Sequence, residues 1–226
     1  MKIIYYGHSC FLVEISGKHL LFDPFITPNP LAKAIDINTI KADFILLSHG
    51  HLDHVADVIA IQKNTNATII GNFEVVTWFQ KHGIENFHPM NIGGQWTFDF
   101  GVVKMVHAAH SSSMPDGSYG GNPGGFIITS KEATFYYAGD TALTQDMKLI
   151  GKNYKLDLAF LPVGDNFTMG YADAVIASKM IKCDTVIGMH YDTFGYIEID
   201  HKKVKNKFKD EEINLHLIKI GETFNT

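Results

Sequence analysis

The sequence predicts an α/β fold of two packed β-sheets flanked by helices, and three observations predict it. Strand-length apolar runs alternate with helix-length segments in both halves of the chain. Each half opens on a meander or hairpin before its α/β units. The 226 residues, 46% apolar and 19% charged, suit one sizeable globular unit with its own core, so residues 1–226 are read as a single domain.

Taken in order, Lys2 to Tyr6, Cys10 to Ile15 and His19 to Phe22 read as a meander, because β-branched and aromatic residues lie between Gly and Pro punctuation. Ile26 to Ile40, with Pro28 and Pro30, reads as a loop holding a short helix at most. Asp43 to Ser48 is a buried strand. Asp57 to Lys63 has helical character and Ala67 to Ile70 reads as a strand. Asn72 caps a helix that ends at Gly83. Phe87 to His110 returns to strands, the last from Val102 to Ala108. Gly125 to Thr129 pairs with Thr134 to Ala138, followed by a helix from Leu143 to Ile150 and a strand from Leu156 to Val163. Tyr171 to Ile181 is helical and Thr185 to Met189 is a strand. A lysine-rich helix from about Asp200 to Glu212 and a strand from Asn214 to Ile220 close the chain.

Against 19 basic residues stand 24 acidic ones, a net charge of −5, which argues against nucleic acid as a partner. The apolar start is too short for a signal peptide and no run reaches transmembrane length, so a cytoplasmic protein with no membrane partner is expected. Cys10 and Cys183 are far apart and outside any CxxC spacing, and are read as free thiols. The expected partner is a small-molecule substrate, and a homo-oligomer is compatible with the chain.

The stretch Ser48-His49-Gly50-His51-Leu52-Asp53-His54 packs three imidazoles and a carboxylate behind the apolar run Phe44 to Leu47. Neutral imidazole is a preferred ligand of zinc and similar ions. If the chain stays extended, His49 and His51 point the same way, while the adjacent Asp53 and His54 point apart and serve a second metal or a base. His110, Asp140 and His190 each follow a strand. In α/β folds the carboxyl ends of strands line the ligand crevice, so these positions converge despite separations of 56, 30 and 50 residues from His54 onward. His107, three residues before His110 in the same strand, falls on the other face and is read as structural.

The HxHxDH motif, the later His110, the Gly-Asp-Thr setting of Asp140 and the final His190 resemble the metallo-β-lactamase superfamily in order and spacing. Gly7-His8-Ser9, Pro162 to Gly170 and Met189-His190-Tyr191 look like the branch of small metal-dependent hydrolases related to ascorbate-6-phosphate lactonase. The resemblance implies a four-layer αββα sandwich of two mixed sheets. It implies His49, His51 and His110 on one divalent ion, Asp53, His54 and His190 on a second, and Asp140 bridging both. The ions would be zinc, with manganese or iron(II) as alternatives. A hydroxide held between them would cleave a small ester, lactone or phosphodiester, with Asp53 orienting it or taking a proton. A mononuclear iron dioxygenase and a nuclease of the same fold are the competing readings.

His8, Asp165 and Asn166 are candidates for touching substrate or a ligating imidazole, each against a plain turn reading. Asp192, Thr193 and Phe194 rank below them. The Gly-rich run Gly120 to Gly125 lacks the Gly-Lys-Ser/Thr of a phosphate loop, and within residues 111–125 a turn is preferred to a lid.

Overall fold

Alternation along the strands decides the layering. In β2 (Cys10–Ile15), Phe11, Val13 and Ile15 enter one apolar cluster while Cys10 and Leu12 enter another. In β3 (Lys18–Phe22), Leu20 and Phe22 take the first side and Leu21 the second. Strands buried on both faces need a layer on each side. The computed structural model, which describes residues 1–226, supplies both.

One sheet has the order β14-β1-β2-β3-β4-β5-β6, with β1 at Lys2–Gly7, β4 at Phe44–Leu46, β5 at Thr68–Asn72, β6 at Phe87–Met90 and β14 at Thr223–Asn225. The other runs β13-β12-β11-β10-β9-β8-β7, with β7 at Gln95–Phe98, β8 at Gly101–His107, β9 at Gly124–Thr129 and β10 at Thr134–Tyr137. It continues through β11 at Leu158–Pro162, β12 at Thr185–Met189 and β13 at Asn214–His216. The sheets face each other through Phe11 against Phe160 (4.9 Å between ring centroids) and Phe22 stacked on Tyr137 (4.6 Å). Such aromatic pairs add about 0.5–1.5 kcal/mol each beyond the area they bury. The outer face of the first sheet is covered by α2 (Val58–Thr65) and α3 (Phe73–Lys81), whose Val58, Ile61, Val75 and Phe79 pack on Leu21, Ile45 and Ile69. The second sheet is covered by α4 (Met147–Asn153), α5 (Tyr171–Ile181) and α6 (His201–Lys209). The predicted two-sheet sandwich with flanking helices is the observed fold.

Three segments differ from the sequence reading. A short helix, α1 (Leu52–Val55), stands where an extended chain was expected, since four residues are too few to show a helical period. The helix expected from Leu143 starts at Met147, because Ala142 N–H first ties the chain to Ala109 O at 3.1 Å. The last predicted strand stops at His216, and the unpredicted β14 returns to pair antiparallel with β1. Asn72 caps α3 as expected, its Oδ1 accepting from Val75 N–H at 2.8 Å. No helix is long and apolar enough to cross a membrane.

Candidate metal centre

Six strands deliver the site. β1 ends at His8, β3 at Asp23, β4 leads into His49 to His54, and β8, β10 and β12 run out to His110, Asp140 and His190. The core pairings β3–β4, β10–β11 and β11–β12 are parallel, so their carboxyl ends open on one side. Three groups of potential ligand atoms form there: His49, His51 and His110 in one, His8, Asp53, His54 and His190 in a second, and Asp23 with His49 and His54 in a third beneath them. Asp140 stands between the first two. Its Oδ2 is 3.6 Å from His110 Nε2, 3.2 Å from His54 Nε2 and 3.0 Å from His190 Nε2.

Asp53 and His54 do not point apart. On the first turn of α1 they converge, Asp53 Oδ2 lying 3.8 Å from His54 Nε2 and 3.9 Å from His190 Nε2. Helix geometry replaces strand alternation at that point, and two neighbours in sequence reach the same centre.

A network beneath the site fixes which imidazole nitrogens carry protons. Asp23 is fully buried and accepts from Ser48 N–H (2.8 Å), Ser48 Oγ (2.5 Å), His54 Nδ1 (2.8 Å) and Tyr137 OH (2.9 Å). Since Ser48 Oγ gives its proton to Asp23, it accepts from His49 Nδ1 at 2.9 Å. His49 Nε2 and His54 Nε2 are therefore left as bare lone pairs, a tautomer assignment that follows from the hydrogen bonds. His49 Nε2 faces His51 Nδ1 at 2.9 Å. His54 Nε2, Asp140 Oδ1 and His190 Nδ1 are buried without any hydrogen-bond partner. In its neutral form His54 turns the Nε2 lone pair toward Asp140 Oδ2 at 3.2 Å, a spot that only a proton or a metal ion can satisfy, and a buried polar group left unmet costs about 1–3 kcal/mol. These residues fit divalent metal: imidazole and carboxylate donors converge, and an anionic partner orients a ligating His from behind.

The electrostatics agree. Burial lowers the His54 pKa, but Asp140, Asp23 and Asp53 outweigh it and hold the value well above the ordinary imidazole range. Burial raises the Asp140 carboxyl, yet His190 and His54 pull it well below the usual carboxylate range. Asp53 behaves likewise, with His54 and His8 overriding burial. His49 is pushed well below its ordinary value by burial and by His54. Three carboxylates thus surround a spot that favours positive charge.

The comparisons with known proteins match this geometry. A family model described as a beta-lactamase superfamily domain matches residues 2–190. The chain belongs to the metallo-β-lactamase superfamily. A metal-dependent hydrolase of Flavobacterium johnsoniae is 59% identical over 223 residues, covering 99% of each chain. One of Methylacidiphilum infernorum is 52% identical with the same coverage. Among solved structures, the metallo hydrolase Igni18 from the hyperthermophilic archaeon Ignicoccus hospitalis is 32% identical, with a TM-score of 0.89 and coverage of 100% of this chain and 98% of that one. The protein is accordingly an enzyme, a metal-dependent hydrolase of the metallo-β-lactamase fold.

In this superfamily member all seven residues expected as ligands are brought together, and His8 joins them. Its Nε2 donates to Asp53 Oδ2 at 3.1 Å while Nδ1 lies 2.9 Å from Thr193 Oγ1. Buried and beside His190, its pKa falls to about 4, which keeps it neutral. Asp165 and Asn166 are not brought to the site. Both are exposed with left-handed backbone, Asp165 Oδ1 accepts from the adjacent Asn166 N–H and Asp165 O from Phe167 N–H at 2.7 Å, so the segment is a tight turn without the side-chain bond of an Asx turn. His107 is exposed and paired with Asp146 at 3.2 Å, on the other face as expected. Residues 111–125 form a tethered turn. Met114 is buried, Ser112 Oγ donates to Gly120 O, and Asn72 Nδ2 donates to Gly120 O and Asn122 O.

Sequence reasoning missed Asp23, Phe25, Phe167 and Tyr196, and ranked Thr193 and Phe194 below His8, Asp165 and Asn166. Phe25, Phe167, Phe194 and Tyr196 line a cavity of about 810 Å³ with His51, Asp53, His110, Asp140 and His190 at its floor. The available signal was position: each of these missed residues lies within seven residues of the end of β3, β11 or β12. Gly139, just before Asp140, has φ +62°, and a Cβ there would lie 2.8 Å from both Gly124 O and Ser48 Cβ. Only glycine lets β10 approach the Ser48 turn this closely.

Proposed function

We propose that the protein holds two divalent ions, zinc in the first instance with manganese or iron(II) as alternatives, and hydrolyses a small ester, lactone or phosphodiester. The observation that carries this reading is Asp140 Oδ2, placed within 3.0–3.6 Å of imidazole nitrogens from the first and second ligand groups. His49, His51 and His110 would hold one ion, Asp53, His54 and His190 the other, with Asp140 shared. Ions held there would supply a metal-bound water acidified toward about pKa 7 and a Lewis acid for the substrate's carbonyl or phosphoryl oxygen.

The chain's own groups do the rest. Asp53 is the one carboxylate of the centre with substantial exposure, its side chain 27% accessible, and it faces the cavity. His8 Nε2–H occupies its Oδ2, leaving Oδ1 to accept a proton from the attacking water and return it to the leaving oxygen. Ser48 and Asp23 hold His49 and His54 in the tautomers that present Nε2. Phe25, Phe167, Phe194 and Tyr196 give the substrate side an apolar wall. Protein purified without added metal is to be assayed for metal by mass spectrometry, then for ester, lactone and phosphodiester hydrolysis with each metal restored. About two equivalents of metal and metal-restored turnover are expected. A protein that neither carries nor rebinds metal would overturn the reading.

A further inference from the structure

The chain contains no arginine: all 19 of its basic residues are lysines. None of those lysines lines the cavity over the metal centre. Every positive charge a substrate could meet there comes from the metal ions or a protonated histidine. The wall facing the ligands is instead apolar, built by Phe25, Leu52, Phe167, Phe194 and Tyr196. Three of these stand unusually open to water for their type: Leu52 is 56%, Phe167 49% and Tyr196 78% exposed. Exposed apolar side chains gathered at one mouth mark a binding surface. They come from three separate segments, the start of α1 and the turns after β11 and β12. The rings of Phe167 and Tyr196 meet edge to face at 6.1 Å, and Phe25 and Phe194 lie 6.2 Å apart deeper in.

We infer that the substrate is an uncharged carboxylic ester or lactone whose alkyl or aryl flank lies on this wall, an inference that rests on the hydrolase reading above. A phosphoryl group in transit spreads charge over three oxygens and is served by lysine or arginine clamps. Here no such side chain exists. A phosphate remote from the scissile bond, as in a sugar-phosphate lactone, would meet no cationic side chain and only the Ser111 and Tyr196 hydroxyls among the rings and methyls, and burying an unpaired anion there is costly. Carbonyl addition develops charge on one oxygen, which the metal centre alone can meet. The reaction balances with water as the only co-reactant. The water oxygen bonds to the acyl carbon, the acyl C–O bond breaks, and the proton lost by water passes through Asp53 to the departing alkoxide, giving acid and alcohol. The cavity's 810 Å³ is within the range of small-molecule sites, about 300–1,000 Å³, and leaves room for a flank of several carbons.

The test uses the metal-restored protein with p-nitrophenyl acetate, butyrate and hexanoate and with bis(p-nitrophenyl) phosphate, which share one leaving group. kcat/KM should rise up to about 200-fold from acetate to hexanoate as four methylenes are buried, each worth about 0.8 kcal/mol. It should exceed that for the phosphodiester. Phe167→Ala and Tyr196→Ala, both at exposed positions, should each cut the hexanoate-to-acetate ratio several-fold, and Tyr196→Lys should also raise phosphodiester turnover. A second readout needs no turnover: saturation-transfer NMR on metal-free protein should show 1-phenylhexan-1-one bound and phenyl phosphate unbound, with the ketone signal lost in Phe167→Ala. A phosphodiester turned over faster than hexanoate, or esters with no chain-length dependence, would overturn the inference while leaving the hydrolase reading standing. Metal-loaded protein that turns over none of the four would overturn both.

Discussion

Asp23→Asn tests whether the buried network beneath the ligands orients them. The substitution keeps shape and removes charge. In the better amide orientation the oxygen sits at the Oδ2 position and still accepts from His54, Ser48 Oγ and Tyr137, while the NH₂ faces Ser48 N–H. Three charge-assisted bonds become neutral, at about 1 kcal/mol each, and one buried N–H is left unmet at about 1–3 kcal/mol. The expected loss of about 4–6 kcal/mol is a large part of an ordinary domain's stability, so the variant should fold but unfold at markedly lower urea. Metal affinity should fall about 10- to 100-fold, since His54 loses the anion that raises its basicity. Competition against a chelating dye reads the affinity, and urea denaturation of the metal-free protein reads the stability. A folded Asp23→Asn that binds metal within about twofold of the wild type would refute the orienting role.

His110→Ala and Asp140→Ala should each lose metal and turnover, whereas His107→Ala should keep both, because His107 pairs with Asp146 on the opposite face. Metal analysis of the three variants decides it, and a His107→Ala that lost metal would show the face was misassigned. Gly50→Ala places a Cβ 2.4 Å from Met114 Sδ and 3.1 Å from Ser113 O, both in the tethered turn. It should cost about 1–3 kcal/mol by thermal melt and weaken metal binding by displacing His49 and His51. His8 has a folded pKa of about 4 against about 6.5 unfolded, so its contribution to stability is present above the unfolded value and is lost as pH falls toward 4. Metal-free wild type should lose about 2–3 kcal/mol more than His8→Asn between about pH 7.5 and 4.5 in urea titrations, and parallel losses would count against the assignment.

The fold and the convergence of the candidate ligands were legible for the same reason. Strands such as Phe44–Leu46 and Thr185–Met189 are strongly patterned, and a His or Asp just beyond an apolar strand has few structural uses. Asp23 was not legible because Asp-Pro after a strand has the composition of a turn. Its role depends on Phe22 pairing with Leu46, which sets it beside Ser48, and on Tyr137, 114 residues away. Phe25 and Phe167 were hidden among 16 phenylalanines, most of which the pattern sends to the core, while Phe194 drew notice only by following His190. Phe167 is exposed just after the left-handed Asp165 and Asn166, a backbone conformation that a sequence does not display. The divergence expected of Asp53 and His54 failed because a four-residue helix is invisible to periodicity.

The placement of the ligands also explains why the two sheets need this centre as more than a catalytic appendage. His8 and the stretch from His49 to His54 hang from the first sheet, while His110, Asp140 and His190 hang from the second. The first and second ligand groups each draw on both. At this seam the aromatic core gives way to facing imidazoles and carboxylates, whose mutual burial is unfavourable without positive charge. An ion bound by residues of both sheets therefore stabilises their packing by an amount set by its concentration over its dissociation constant, about 2.7 kcal/mol at a hundredfold excess. On the proposed reading, the same convergence that prepares the site for chemistry would make a bound cation part of what holds the sandwich closed.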